Sequence, residues 1–369
     1  MSKQSDIPHA QVVSDAGQGG GLPAYAYAVT APPSSGLDRQ QRIQVINQNY
    51  GFPPGLANQF AMSVDTFASR FWIVDNSGSM STADGHSLIP LPKGGYRSVG
   101  CSRWDELGSA VCWHAQLASR LRAPTQFRLL NPPGSGAHQV LDVGYGNEAV
   151  EVQAVQQSMS QSPNGGTPLC AHLRAVYDAV LANANQYRAE GKRALLVLAT
   201  DGESSDGDVA QALRAFRNLP VWVVIRLCTD QDNIVEYWNN IDNELELDMD
   251  VLDDVKSEAE QVTELNPWLN YCIPLHRLRE WGTCCKEFDL LDERGFRPLE
   301  VKSFLENVMG TGSLPHPDVD YNAFEAAIVD FQTNRVPLEW DPITGRMMPW
   351  VKTARLRRSL GKGGGCAMM

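Results

Sequence analysis

From Phe67 to Leu227 short apolar runs alternate with longer stretches in which apolar side chains recur every three or four positions. Phe71 to Val74 reads as a strand, and Trp104 to Leu121 as a helix, with Leu107, Val111, His114, Leu117 and Leu121 on one stripe. Strand-like runs follow at Gln126 to Leu130 and Val140 to Val143. A helix is predicted from Pro168 to Tyr187 on Leu169, Leu173, Val176, Tyr177, Val180 and Leu181, then a strand at Ala194 to Thr200. A helix over Asp208 to Asn218 and a strand over Val221 to Leu227 complete the series. Alternating strands and helices predict an α/β fold: a Rossmann-like, doubly wound, mainly parallel sheet with helices on both faces. The strands are apolar without interruption, as burial on both faces requires.

The flanks read differently. Residues 1–37 are rich in Gly, Ala, Ser and Pro without lasting periodicity and read as a disordered segment. Residues 38–65 read as a short helical lead-in broken near Gly51 to Gly55. The sheet-forming domain is taken as 66–265, with an insert at 81–103, followed by helical patterns over 266–340 and a basic tail over 341–369. Between Asp230 and Glu264 thirteen acids face a single base, Lys256, without the ligand spacing of a calcium loop, and this stretch reads as a solvated acidic face.

Across 369 residues, 43 acids outnumber 31 Lys and Arg, leaving a net charge of −12, which argues against a protein that neutralises phosphates; no nucleic-acid partner is expected. No apolar run approaches the roughly 18 residues that span a bilayer, and the first residues do not resemble a secretory leader. An intracellular location is expected. The eight cysteines show no C-x-x-C pair, which disfavours a disulfide framework and a zinc ribbon.

The candidate chemistry lies at strand ends. The first strand runs into Asp75-Asn76-Ser77-Gly78-Ser79, and the strand at 194–200 into Asp201-Gly202-Glu203. In a parallel sheet, residues past the carboxyl ends of neighbouring strands share one crevice, so two carboxylates and two hydroxyls converge. Thr167, in the turn Asn164 to Pro168 that feeds a helix, supplies a third hydroxyl. Hard oxygen ligands from three loops suit Mg2+, with Mn2+ or Ca2+ as substitutes.

On Asp75, Ser77, Ser79, Thr167 and Asp201 the sequence resembles the von Willebrand factor A-type (vWA) domain and its metal-ion-dependent adhesion site (MIDAS), whose pattern is D-x-S-x-S, a later Thr and an Asp after the fourth strand. The surrounding Gly165 to Leu169 and Thr200 to Gly202 look like the family's intracellular members. The resemblance covers about residues 66–265 and implies a non-enzymatic module in which the metal takes an Asp or Glu of a protein partner as its last ligand. With Ser and Thr neutral, a metal held to the two carboxylates through water keeps most of its charge for that ligand. Direct ligation by Asp201 would neutralise it, a two-state element as in integrin-type relatives.

Two alternatives are weighed against it. A Mg2+-dependent hydrolase or phosphatase needs a base beside the metal, and the nearest histidines are His86 in the insert and His172, five residues past Thr167. A chelatase-like accessory subunit would dock on an AAA ATPase. The insert departs from the family pattern and is expected to form a rim or lid on the metal face.

The chain ends Cys366-Ala367-Met368-Met369, a C-a-a-X prenylation box whose terminal Met favours farnesyl. Gly361 to Gly365 forms a flexible spacer, and Lys352, Arg355, Arg357, Arg358 and Lys362 are expected to face an anionic leaflet. Six bases and no acid follow Asp341, against a strongly acidic body. The sequence thus predicts a peripheral protein on the cytoplasmic face of a membrane, held by one lipid and a polybasic patch.

Overall fold

The computed structural model describes residues 36–361, apart from 93, 94, 230 and 246. Most of the expected disordered lead, and Lys362 and Cys366, lie outside the described residues. Helices α1 (Arg39–Tyr50) and α2 (Pro54–Thr66) lead into strand β1 (Phe67–Val74). A two-stranded ribbon, β2 (Gly85–Pro90) and β3 (Tyr96–Cys101), fills the insert and is followed by α3 (Arg103–Leu121). Next come β4 (Thr125–Leu129), β5 (Val140–Val143), α4 (Glu148–Met159), α5 (Leu169–Ala189), β6 (Arg193–Thr200), α6 (Val209–Arg214) and β7 (Val221–Leu227). The acidic stretch folds as α7 (Asp232–Glu244), β8 (Met249–Leu252) and α8 (Val255–Leu265). Beyond it lie α9 (Ile273–Trp281), α10 (Lys286–Asp289), α11 (Pro298–Met309), α12 (Tyr321–Asn334), a second ribbon of β9 (Glu339–Asp341) and β10 (Arg346–Met348), and α13 (Thr353–Ser359).

The central sheet has the order β5-β4-β1-β6-β7-β8. All its pairs are parallel except β4 with the edge strand β5. Numbered within the sheet this is 3-2-1-4-5-6, the doubly wound order, and the fold class agrees with the alternation in the sequence. Successive residues of a strand point to opposite faces. Phe71 and Ile73 of β1 therefore join Leu196 and Leu198 of β6 in a core with Leu173, Val176 and Val180 of α5 and Trp238 of α7. Trp72 and Val74 join Leu195 and Val197 in the opposite core, with Leu107 and Val111 of α3.

That second core also takes Phe60 of α2, Leu278 and Trp281 of α9, Phe304 of α11 and Leu356 of α13, so the lead-in and the C-terminal helices pack with the sheet. Helix α2 meets α11 backbone to backbone: a Cβ at Gly55 would sit 2.3 Å from the Asn307 carbonyl oxygen, and one at Gly310 (φ +70) would sit 2.6 Å from the Gly55 nitrogen. Any side chain at Gly55 would force the two helices apart.

The reading of 230–264 as a wholly solvated acidic face is corrected. Asp250, Asp253 and Glu258 are buried. Alternation along β8 turns Asp250 towards Arg279 of α9, which holds Asp250 at 2.8 Å and Asp292 at 3.0 Å and also pairs with Glu258. A fully buried guanidinium is what makes these carboxylates tolerable inside. Among the described residues no helix is long and apolar enough to cross a membrane.

Candidate metal site

Between β1 and β6 the order of the strands reverses, which opens a crevice at their carboxyl ends. The ladder continues one step past β1, since the Asp75 amide donates to the Ala199 carbonyl at 2.9 Å. This fixes Asp75 beside Thr200 and Asp201, all three buried. The Asp75 carboxylate accepts from the Ser77 amide at 2.8 Å through Oδ1 and from the Thr200 hydroxyl at 2.7 Å through Oδ2. Ser77 Oγ and Ser79 Oγ are 3.0 Å apart, and Ser79 Oγ donates to Asp201 Oδ1 at 2.8 Å. Direct contacts therefore link four of the five expected donors in one chain.

The fifth, Thr167, belongs to a loop clamped against this chain. The Gly78 amide donates to the Gly165 carbonyl at 3.1 Å, and the Asn164 amide to the Asn76 carbonyl at 2.7 Å. Asn131 bridges the loops: its backbone amide donates to Asn76 Oδ1 at 2.7 Å, and its Nδ2 donates to the Gly166 carbonyl at 2.7 Å. Gly165, at φ +80, leaves no room for a side chain, since a Cβ would lie 2.5 Å from Asn131 Oδ1. The Thr167 amide donates to Ser205 Oγ at 3.0 Å and the Ser205 amide returns to the Thr167 carbonyl at 2.9 Å, which ties in the loop after β6.

Arg103 belongs to the site but was not read from the sequence. It opens α3, behind the Ser102 cap that accepts from the Asp105 amide. Its Nη1 lies 2.9 Å from Asp201 Oδ2, while Nε and Nη2 grip Asp84 at 2.7 and 2.5 Å at the foot of the β2–β3 ribbon. The available signal was the pattern Ser102-x-x-Asp105, a capping box that places Arg103 in the first turn. Thr200, Asn76 and Asn131 were also missed, because each acts through a hydrogen bond that only the tertiary fold makes.

Burial raises the Asp75 carboxyl, against hydrogen bonds from Thr200 and Ser77 that lower it, and the nearby Asp201 adds to the rise. A buried carboxylate in this state gains from an added cation. The donors fit a hard divalent ion by their chemistry: two carboxylates and three hydroxyls, all oxygen, on three loops. Among the described residues no three His, Cys, Asp or Glu side chains converge as a metal cluster, so an ion held here would need the hydroxyls as well as the two carboxylates. His172 is buried with Nε2 3.0 Å from the Leu130 carbonyl, and His86 is exposed on the ribbon.

The basic residues assigned to a membrane surface divide into two sets. Lys352 lies 3.0 Å from Asp341, and Arg357 pairs with Glu325. Arg355 and Arg358 are exposed.

No protein-family model and no curated protein matches the chain. Among solved structures the chain is similar to the crystal structure of the SpRpn10 VWA domain, at 10% identity and a TM-score of 0.33, over 50% of this chain and 86% of that one.

Proposed function

We propose that the chain is a vWA-type module that holds Mg2+ at Asp75, Ser77, Ser79, Thr167 and Asp201 and binds an acidic residue of a protein partner in a metal-dependent, non-enzymatic way. The observation that carries this reading is the chain of direct contacts from Asp75 through Ser77 and Ser79 to Asp201, in a crevice where the order of the strands reverses. Mg2+ would supply positive charge to attract and orient a carboxylate. Asp75 and the hydroxyls would hold the ion, and Arg103, by balancing Asp201, would leave the ion's charge for the partner. His172 is buried and bonded through Nε2 to the Leu130 carbonyl, so it does not offer the hydrolase reading a histidine base. No observation favours docking on an AAA ATPase.

The test is a pull-down with Mg2+ or EDTA, comparing wild type with Asp75→Ala. Partners lost both in EDTA and in the variant support the reading; an unchanged set removes it. The second part of the proposal is a tether, farnesylation of Cys366 with Arg355, Arg358 and Lys362 at an anionic leaflet on the cytoplasmic face, and it rests on the terminal motif and charge alone. Metabolic labelling with a farnesyl analogue tests it, and equal labelling of wild type and Cys366→Ser would remove it.

A further inference from the structure

A groove of about 750 Å3 opens between the β2–β3 ribbon and the turn that joins β9 to β10, within the roughly 300–1,000 Å3 range of pockets that bury ligands. Trp113 of α3 and Ile273 of α9 line it together with Leu88, Leu91, Trp340 and Ile343. The two ribbons touch. The Tyr96 and Trp340 rings meet edge to face at 6.1 Å, and a Cβ on Gly95 would lie 3.3 Å from Met347 Sδ. Of the twelve exposed large apolar side chains among the described residues, five (Ile89, Leu91, Leu338, Ile343 and Met347) belong to these ribbons and their immediate flanks, and Leu91 and Ile343 of these line the groove itself. Apolar exposure scattered singly needs no explanation, whereas a cluster around one groove marks a contact surface.

The charges of the groove are unequal in their commitments. Both of its acids are already satisfied: Glu106 holds Arg226 at 2.8 Å and the His86 amide at 2.9 Å, and Asp254 caps α8 through the Lys256 and Ser257 amides. Arg277 and Arg226 in turn reach the buried Glu280 at 2.6 and 3.4 Å. Arg97 and Lys256 are different. Both are exposed; Arg97 joins no ion pair among the described residues, and Lys256 has only a loose one, 3.8 Å to the exposed Glu260. An acidic protein thus presents a groove whose unspent charge is positive, which selects for an anionic occupant.

We infer that this groove receives an acidic peptide segment, with an aromatic or branched apolar side chain, from the same partner whose carboxylate the metal face takes; the inference rests on the metal-dependent reading above. Arg103 at the metal site and Glu106 in the groove wall are three residues apart on α3, so the groove begins about one helical turn from the crevice. A few residues of extended chain cover that span at about 3.3 Å each. The partner's apolar side chain packs against Trp340 and Leu91, and its acids meet Arg97 and Lys256.

The experiment selects random peptides of about twelve residues, long enough to span groove and crevice when extended, on the full chain in EDTA. The selected peptides are then measured against an Arg97→Glu/Lys256→Glu double variant. Both positions are exposed, and an acid at 256 lies in the first turn of α8, where the helix dipole favours it; unchanged thermal melting confirms the fold. Expected are acidic peptides with an aromatic or branched residue that lose at least about tenfold in affinity in the double variant, as when interface anchors are removed. Basic peptides, no enriched peptide, or a smaller loss would overturn the inference. Mg2+ uptake by wild type and Asp75→Ala is measured alongside. Peptides held by a protein that takes up no Mg2+ would leave the groove standing and remove the metal reading, and Mg2+ uptake without any such peptide would do the reverse.

Discussion

Arg103 Nη1 lies 2.9 Å from Asp201 Oδ2, with the two side chains 4% and 1% exposed, so one of the two acids of the crevice already has a buried cation. The same guanidinium holds Asp84, which ties the foot of the β2–β3 ribbon to the crevice. Removing one partner of a buried pair costs about 3–5 kcal/mol, because the other charge is left uncompensated. Arg103→Met should lose stability of that order in EDTA. Saturating Mg2+ should then restore part of it, since among the described residues Asp201 pairs with no other cation, and a ligand stabilises by its affinity for the folded state. The rise in Tm on adding Mg2+ should thus be larger in the variant than in wild type. An equal rise in both would mean that Arg103 does not shield Asp201.

A second prediction concerns acid. Glu280 is fully buried, with His114 Nε2 at 2.9 Å, Arg277 at 2.6 Å and His276 Nε2 at 3.5 Å. Burial opposes its charge, but Arg277 and His276 prevail and hold its carboxyl well below the ordinary range. Burial also pushes His114 down to about 4. Between pH 6.5 and 4 the unfolded chain protonates this histidine and the folded one does not. The stability it contributes is therefore complete above about pH 6.5 and falls as the pH drops towards 4, by roughly 3 kcal/mol in full. Urea unfolding from pH 7 to 4.5 measures the slope, and His114→Gln, which keeps a donor for Glu280, should flatten it. An unchanged slope in the variant assigns the acid sensitivity elsewhere.

How much of this was legible follows from the length scale of each signal. Strands β1, β6 and β7 announce themselves because burial on both faces makes them apolar throughout, and α3 and α5 because one stripe meets a sheet. The acids at the crevice follow those strands directly, so finding the strands places Asp75 and Asp201 together. Arg103 is different: 98 residues separate it from Asp201, and only the folded crossover joins them. Strand β8 is polar where Asp250 interrupts it, and Arg279, which makes that burial possible, comes 29 residues later. The ribbon β2–β3 has mostly exposed or half-buried positions, so it shows little apolar alternation.

The acids beside β8 give a third prediction, of opposite sign. Asp242, Asp253 and Asp289 line one cleft of about 220 Å3 with Asp250, Asp292 and Glu293. Burial, then repulsion from Asp250 and Glu293, raises Asp289 to about 7. A carboxyl raised in the folded state binds its proton better there than in the unfolded chain. Its contribution is present at low pH and is lost as the pH rises from about 4 to 7. Asp289→Asn should therefore stabilise the protein at pH 8, by roughly 1 kcal/mol after solvent screening, and change little at pH 4. Denaturation at the two pH values compares them; stabilisation that is the same at both would point to packing instead of charge.

The fourth prediction separates structural bases from those free to meet a lipid surface. Lys352 is 12% exposed and lies 3.0 Å from Asp341, itself 1% exposed. Asp341 Oδ1 accepts from the Ile343 and Thr344 amides at 2.9 and 3.2 Å, so this carboxylate organises the turn between β9 and β10, and Lys352 balances it. Arg357 pairs with Glu325 and lies 5.1 Å from the centre of the Tyr321 ring. Arg355 and Arg358 are exposed, and their remaining contacts are with carbonyl oxygens, which leave their charge uncancelled. Lys352→Met should then cost about 3 kcal/mol of stability, as for other broken buried pairs, and leave vesicle binding unaltered. Arg355→Glu and Arg358→Glu should do the opposite: little change in melting, but weaker binding of the farnesylated protein to phosphatidylserine vesicles by at least about 1 kcal/mol each, or roughly fivefold. Co-sedimentation at low salt reads the second effect and thermal melting the first. If Lys352→Met instead released the protein from vesicles at unchanged stability, the ion pair with Asp341 would not be holding Lys352 away from the membrane.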